Sequence, residues 1–136
     1  MKILLPILIA AALFLSENIT AQNQTITATV INATSDKGNV SYALYDKDSF
    51  MKKPLQGKLS KIENGKSIVV FENVTEGEYS IICYHDKNEN GIMDFNGRMP
   101  IEDFGSSNNV MAYGPPQFNT SKFTVSDKDV SLEIKF

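Results

Sequence analysis

One short stretch of this chain places oxygen-bearing side chains at a spacing that suits a metal ion. Two aspartates, two asparagines and a glycine form the set: Asp86, Asn88, Asn90, Gly91 and Asp94. They match the first, third, fifth, sixth and ninth places of a calcium loop of the type D-x-[DN]-x-[DN]-G. The spacing predicts a calcium site at the four polar side chains, with the main-chain carbonyl of Ile92 as a further ligand.

The predicted site differs from an EF-hand. Its twelfth place, where an EF-hand has a bidentate glutamate, is Gly97, and no helical pattern flanks the loop. A missing ligand would come from water, or from Glu102 or Asp103 folding back. With only Asp86 and Asp94 charged inside the loop, we expect weak binding, in the range of about 10⁻⁴–10⁻³ M that is typical of extracellular modules.

Two other interpretations of the loop stay open at this point. Asn90-Gly91 is by itself a strong signal for a type I′ hairpin turn, so the protein could be purely structural and hold no ion. Alternatively, the protein could be a hydrolase-like enzyme that uses His85 with Asp86 or Asp94 as its catalytic pair. The hairpin interpretation explains only the Asn-Gly dipeptide, whereas the calcium interpretation also explains both aspartates.

His85 continues a predicted strand in which Tyr79, Ile81 and Cys83 share one apolar face. We therefore expect a buried, hydrogen-bonded histidine rather than a general base, and a protein that is not an enzyme. A closed tetrahedral zinc site lacks ligands, because the chain has one histidine and one cysteine. We expect Cys83 to be a small buried apolar residue.

The elements that must position the loop are β-strands. Apolar and polar residues alternate with a period of two in most of the following segments, as in half-buried strands: 24–30, 40–45, 59–62, 68–71, 79–84, 123–125 and 130–136. The first two suggest a hairpin, and 68–71 with 79–84 suggest the centre of a sheet. Glycine and proline make regular structure improbable over 95–117, and no helical period follows residue 21.

Short strands separated by turns, without alternating helices, define the fold class. Six or seven such strands over about 100 residues predict an all-β protein, an antiparallel Ig-like or prealbumin-like β-sandwich. The length of 136 residues allows one compact domain, which we place at 22–136.

The amino-terminal 21 residues resemble a secretory signal peptide. Lys2 precedes an apolar run from Ile3 to Leu15 that is shorter than the roughly 20 residues of a membrane span, and Ala21 is a small residue at the predicted cleavage point. We expect export to the periplasm or the extracellular space, with no membrane span after cleavage. The formal charge of −3 does not indicate nucleic-acid binding, which usually requires a basic surface. An envelope or extracellular protein, or a glycan, is the expected class of partner.

Several motifs together resemble a known family. They are Phe71-x-Asn73-Val74-x-x-Gly77-x-Tyr79, His85-Asp86-x-Asn88-x-Asn90-Gly91, Phe104-Gly105-Ser106-Ser107-Asn108-Asn109 and Gly114-Pro115-Pro116-x-Phe118. In this order they are similar to a family of exported bacterial proteins catalogued as domain of unknown function 2141. The resemblance covers nearly the whole predicted mature chain and implies an exported bacterial protein without an assigned activity. The Gly-x-Tyr that opens a strand is also similar to prealbumin-like and Cna-B-like sandwiches.

Overall fold

A computed structural model describes residues 23–110 and 114–136. The predicted signal peptide lies outside the described residues. Within them the chain forms ten strands, a short 3₁₀ helix and one turn of α-helix. The strands are β1 Gln24–Val30, β2 Asn39–Tyr45, β3 Gln56–Lys61, β4 Ser67–Val74, β5 Gly77–Asp86, β6 Phe95–Asn96, β7 Met99–Pro100, β8 Phe104–Ser106, β9 Phe123–Val125 and β10 Val130–Ile134. The 3₁₀ helix spans Ser107–Asn109 and the α-helical turn, α1, spans Phe118–Ser121.

Two sheets enclose the core, which confirms the all-β class and the sandwich. The smaller sheet has the order β10-β1-β4, and the larger has the order β3-β2-β5-β8, with β9 pairing the first residues of β5. The expectation of a wholly antiparallel arrangement is wrong for one pair, because β1 and β10 run parallel. Hairpin turns cannot join parallel neighbours, and here β1 and β10 lie at opposite ends of the described chain.

The core forms where the inward faces of the two sheets meet. Strand β1 alternates between buried and half-buried residues along its whole length, as its period-two sequence predicts. Fully buried side chains from both sheets pack together, among them Ile26, Val30, Tyr42, Leu44, Phe71, Ile81 and Ile134. Burial of each large apolar side chain contributes about 1.5–3 kcal/mol, so these residues are a major source of stability.

The predicted hairpin of β1 and β2 is wrong, because these strands belong to opposite sheets. The predicted sheet centre made of 68–71 and 79–84 is not observed either. Strand β4 lies at an edge of the smaller sheet, while β5 is an interior strand of the larger one. Each of these strands has an apolar face, and in a sandwich the apolar faces of the two sheets are buried against each other. Alternation along a strand predicts the face but not the sheet to which it belongs.

Within the segment 95–117, the described residues 95–110 are more ordered than the glycines and prolines suggest, since they contain β6, β7, β8 and the 3₁₀ helix. Where β8 ends, the Ser107 hydroxyl accepts a hydrogen bond from the Ile81 amide at 3.0 Å, replacing a strand partner. The Asn108 side chain donates to the Lys122 carbonyl at 2.7 Å, and that of Asn109 donates to the Glu133 carbonyl at 3.0 Å. Side chains thus hold this connection against β5, β9 and β10.

Over 23–110 and 114–136, no helix is both long and apolar enough to cross a membrane.

Candidate functional site

The candidate loop begins at the end of the interior strand β5. Asp86 is the last residue of β5 and pairs with Asn39, the first residue of β2. On its other side, β5 pairs with β8. The pairing extends by one more residue, because the His85 amide donates a hydrogen bond to the Asp103 carbonyl at 2.8 Å. The same register places Glu102 opposite Asp86. Two neighbouring strands therefore fix the start of the loop.

Gly38 allows β2 to approach the loop closely. Its φ of +71° lies in the left-handed region, and a Cβ atom there would stand 2.1 Å from the main-chain oxygen of Asp86. Any other residue would push the two backbones apart. Sequence reasoning missed this position, since between two predicted strands a glycine indicates only a turn.

The Asp86 carboxylate is buried without a cationic partner. Only 1% of the residue is exposed. Its oxygens accept hydrogen bonds from the amides of Asn90 at 3.2 Å and Gly91 at 2.9 Å. Among the described residues the one ion pair, Lys122–Glu78, lies elsewhere. A buried charge held by amides alone is costly, and a bound cation would neutralise it.

Asp94 lies at the other end of the loop, where two asparagines contact it. Asn88 Nδ2 donates to one carboxylate oxygen at 2.8 Å, and Asn90 Nδ2 donates to the other at 2.7 Å. These hydrogen bonds, that from Asn88 most of all, hold the pKa of Asp94 below its ordinary value. The carboxylate therefore keeps its negative charge when pH falls into the range where unperturbed aspartates begin to protonate. Three of the predicted ligand side chains thus meet at one place.

Glu102 folds back onto the loop, as the sequence allowed. Its carboxylate accepts hydrogen bonds from the amides of Lys87 at 3.2 Å and Asp94 at 2.8 Å. Burial raises the pKa of Tyr84, and the negative charges of Asp86, Glu102 and Asp94 raise it further. The three carboxylates consequently make one region of negative potential around the end of β5.

The candidate metal ligands in this region are carboxylate, amide and carbonyl oxygens, which suit a hard cation such as calcium. Over the described parts of the chain, no three His, Cys, Asp or Glu side chains lie close enough together to hold a metal by themselves. A bound ion would therefore need amide or carbonyl oxygens as well. If the side-chain amide groups of Asn88 and Asn90 were flipped, their oxygens, rather than their nitrogens, would lie beside Asp94. The Ile92 carbonyl and water complete the available set.

The backbone at Asn90-Gly91 is not that of a type I′ hairpin turn, which requires positive φ at both central residues. Positive φ occurs at Glu89 (53°) and Gly91 (78°), whereas Asn90 between them does not share it. The strand that follows, β6, pairs with β7 and not with β5. The loop is therefore a wide connection closed by side-chain hydrogen bonds.

His85 is a buried, hydrogen-bonded histidine, as the strand pattern predicts. It is 0% exposed. Its Nε2 donates to the Lys37 carbonyl at 2.7 Å, and its ring stacks on Phe136 with 6.3 Å between centroids. Its Nδ1 is buried without a hydrogen-bond partner. Cys83 is also fully buried, and burial raises the pKa of its thiol far above the ordinary value.

An open cavity of about 500 Å³ lies beside β8, α1 and the residues that follow β10. Phe104, Val110, Pro116, Lys135 and Phe136 contribute to its walls. The calcium-loop residues and His85 do not line it. The only signal for it in the sequence was the richness of 95–117 in glycine, proline and asparagine.

The fold and the loop define an all-β sandwich with an acidic, oxygen-lined connection at the end of an interior strand. The chain belongs to the family described as "Uncharacterized protein conserved in bacteria (DUF2141)", whose sequence profile matches residues 28–133. The resemblance seen in the sequence motifs is thereby confirmed. No curated protein and no solved structure matches the chain.

Proposed function

We propose that this protein is an exported, non-enzymatic binding or envelope-structural module whose Asp86–Asp94 loop binds calcium weakly. The observation that supports this most strongly is the Asp86 carboxylate, whose residue is 1% exposed and which forms no ion pair with a Lys or Arg side chain of the described residues. A calcium ion held by Asp86, Asn88, Asn90, the Ile92 carbonyl and Asp94 would compensate that charge.

Calcium would act on the structure by joining three successive segments of the chain. Asp86 ends β5, Asp94 precedes β6, and Glu102 precedes β8. Without an ion, the negative charges of these three residues repel one another across the loop. A bound ion would attract all three carboxylates, so the connection between β5 and β8 would be held in one conformation. The ion's role in this proposal is structural.

The burial of His85 supports the non-enzymatic part of the proposal. A general base must reach a substrate proton to within about 2.6–3.2 Å. His85 is 0% exposed, its Nε2 is engaged by the Lys37 carbonyl, and Phe136 covers its ring. The hydrolase alternative would require these contacts to break before any substrate could be reached.

Calorimetric titration of the chelator-stripped protein with calcium tests the site directly. We expect one ion per chain with a dissociation constant of about 10⁻⁴–10⁻³ M. Asp94→Asn should weaken binding at least about tenfold, because it removes a charge from the loop while keeping the side-chain shape. Glu89→Gln is the matched control. The Glu89 carboxylate accepts a hydrogen bond from Asn39 of β2 at 3.2 Å and is not one of the predicted ligands, so this substitution should leave the affinity unchanged. Equal affinity in the wild type and Asp94→Asn would contradict the site.

Export is part of the proposal, and intact-mass measurement tests it. A form purified from the medium or the periplasm after expression of the full chain should lack residues 1–21, because Ala21 follows the apolar run at the distance that signal cleavage requires. A protein that retains Met1–Ala21, or that stays in the cytoplasm, would contradict export. The expected partner, an envelope or extracellular protein or a glycan, belongs to the same proposal.

A further inference from the structure

Next to the candidate calcium loop, a small hairpin exposes an unusual amount of apolar surface. Strands β6 and β7 pair only with each other and form no part of either main sheet. Four large apolar side chains in and beside this hairpin are more than half exposed: Ile92 63%, Phe95 57%, Met99 70% and Ile101 65%. We call these four residues the apolar tip. A cluster of this kind usually marks an interaction surface.

The apolar tip is apolar on both faces. Phe95 pairs with Pro100 and Asn96 pairs with Met99, so Phe95 and Met99 point to opposite sides of the hairpin. Ile101 lies on the same side as Met99. A flat protein partner would cover one face and leave the other in water. A medium that is apolar on all sides, such as the acyl region of a bilayer, can cover both.

The area of the apolar tip suits insertion into a bilayer interface. Four side chains at these exposures present on the order of 500 Å² of surface. Affinity for such an interface grows with each buried apolar group, so a contact of this size is sufficient.

The surrounding charges make such an insertion dependent on a cation. Between 86 and 103 the chain has five acidic residues (Asp86, Glu89, Asp94, Glu102 and Asp103) and two basic ones (Lys87 and Arg98). This local charge of −3 repels an anionic lipid surface. One calcium ion reduces it to −1, and coordination positions not filled by the protein can accept phosphate oxygens of lipid headgroups.

We propose that calcium binding at the Asp86–Asp94 loop drives the apolar tip into the interface of an anionic phospholipid membrane. This inference rests on the proposed function, since the ion at the loop switches the interaction. The main apolar contacts come from Phe95 and Met99. The hairpin turn that presents them is built on Gly97, whose φ of +66° is what the first position of a type II′ turn requires.

The chain contains no tryptophan, so one introduced tryptophan reports insertion directly. Phe95→Trp is mixed with vesicles of phosphatidylethanolamine and phosphatidylglycerol in about 1 mM calcium. We expect a blue shift of the tryptophan emission and quenching by brominated lipid, both reversed by chelator. Leu59→Trp is the control, because Leu59 is 65% exposed on β3, outside the tip, and should show neither change.

Vesicle sedimentation of unlabelled variants gives the matched measurement. The double variant Phe95→Ser, Met99→Ser should bind vesicles about tenfold or more weakly while retaining the calcium titration of the wild type. Leu59→Ser should bind vesicles like the wild type. Vesicles of phosphatidylcholine alone should bind poorly in every case.

Three outcomes would overturn the inference. Calcium binding in solution without vesicle binding would refute it and leave the proposed function standing. Equal vesicle binding in calcium and in chelator would refute the switch. Calcium-induced dimerisation in lipid-free solution that Phe95→Ser abolishes would assign the tip to a second copy of the chain. A failed calcium titration would instead refute the proposed function on which the inference rests.

Discussion

Calcium at 100 times its dissociation constant is expected to raise the free energy of unfolding by about 2.7 kcal/mol, and at ten times by about 1.4 kcal/mol. The unfolded chain cannot hold the oxygens of Asp86 and Asp94 around one point, so calcium favours the folded state. For a domain of this size the melting temperature should rise by several degrees. Scanning calorimetry at a series of calcium concentrations measures the shift.

Asp86→Asn and Asp94→Asn should each abolish most of that shift, whereas Glu89→Gln should preserve it. The quantity to compare is the calcium-dependent change, because loss of the Asp86 carboxylate disturbs its bonds to two backbone amides in any case. A wild-type melting temperature that does not change even at ten times the highest expected dissociation constant would leave the loop as a purely structural connection.

Trypsin provides a second readout of the same ion. Arg98 is exposed at the turn between β6 and β7, and calcium should slow cleavage after it by holding the flanking Asp94 and Glu102 together. Lys52 is an internal control, since it follows β2 at the opposite end of the larger sheet, where Tyr45 pairs with Ser80. Cleavage after Lys52 should not depend on calcium.

Gly38→Ala is expected to lower the free energy of unfolding by about 3 kcal/mol or more. A left-handed φ of +71° costs an alanine about 1–2 kcal/mol. The new Cβ would also lie 2.1 Å from the Asp86 oxygen and 2.8 Å from Lys87 Cα, both of them backbone atoms that cannot move aside by changing rotamer. Urea unfolding at equilibrium measures the loss. Calcium affinity should fall with it, because Asp86 must shift.

Gly57→Ala is the matched control for this substitution. Gly57 lies in β3, and a Cβ there would meet only the Tyr42 carbonyl, at an ordinary 3.9 Å. We expect a change within about 0.5 kcal/mol. If Gly38→Ala and Gly57→Ala unfold at the same urea concentration, the close approach of β2 to the loop does not contribute to the free energy of unfolding.

The amino-acid sequence by itself determined most of the longer strands and the residue types of the loop. Alternation of apolar and polar residues located β1, β2, the middle of β4 and β5, and β10, because a strand that is buried on one face must repeat with a period of two. The same period predicted that His85 would be buried beside Tyr79, Ile81 and Cys83. The spacing of Asp86, Asn88, Asn90 and Asp94 predicted that their side chains would share one loop.

Only the tertiary structure decided which strands face each other and what closes the loop. Local periodicity contains no information on partners that are distant in the chain, so it could not show that β1 pairs in parallel with β10 or that β2 lies in the opposite sheet. The three residues of β8 are too few to show a period, yet their register with β5 brings Glu102 opposite Asp86. The need for glycine at position 38 arises from the Asp86 backbone, 48 residues away in sequence, because a contact between distant backbones exists only once both strands are in place.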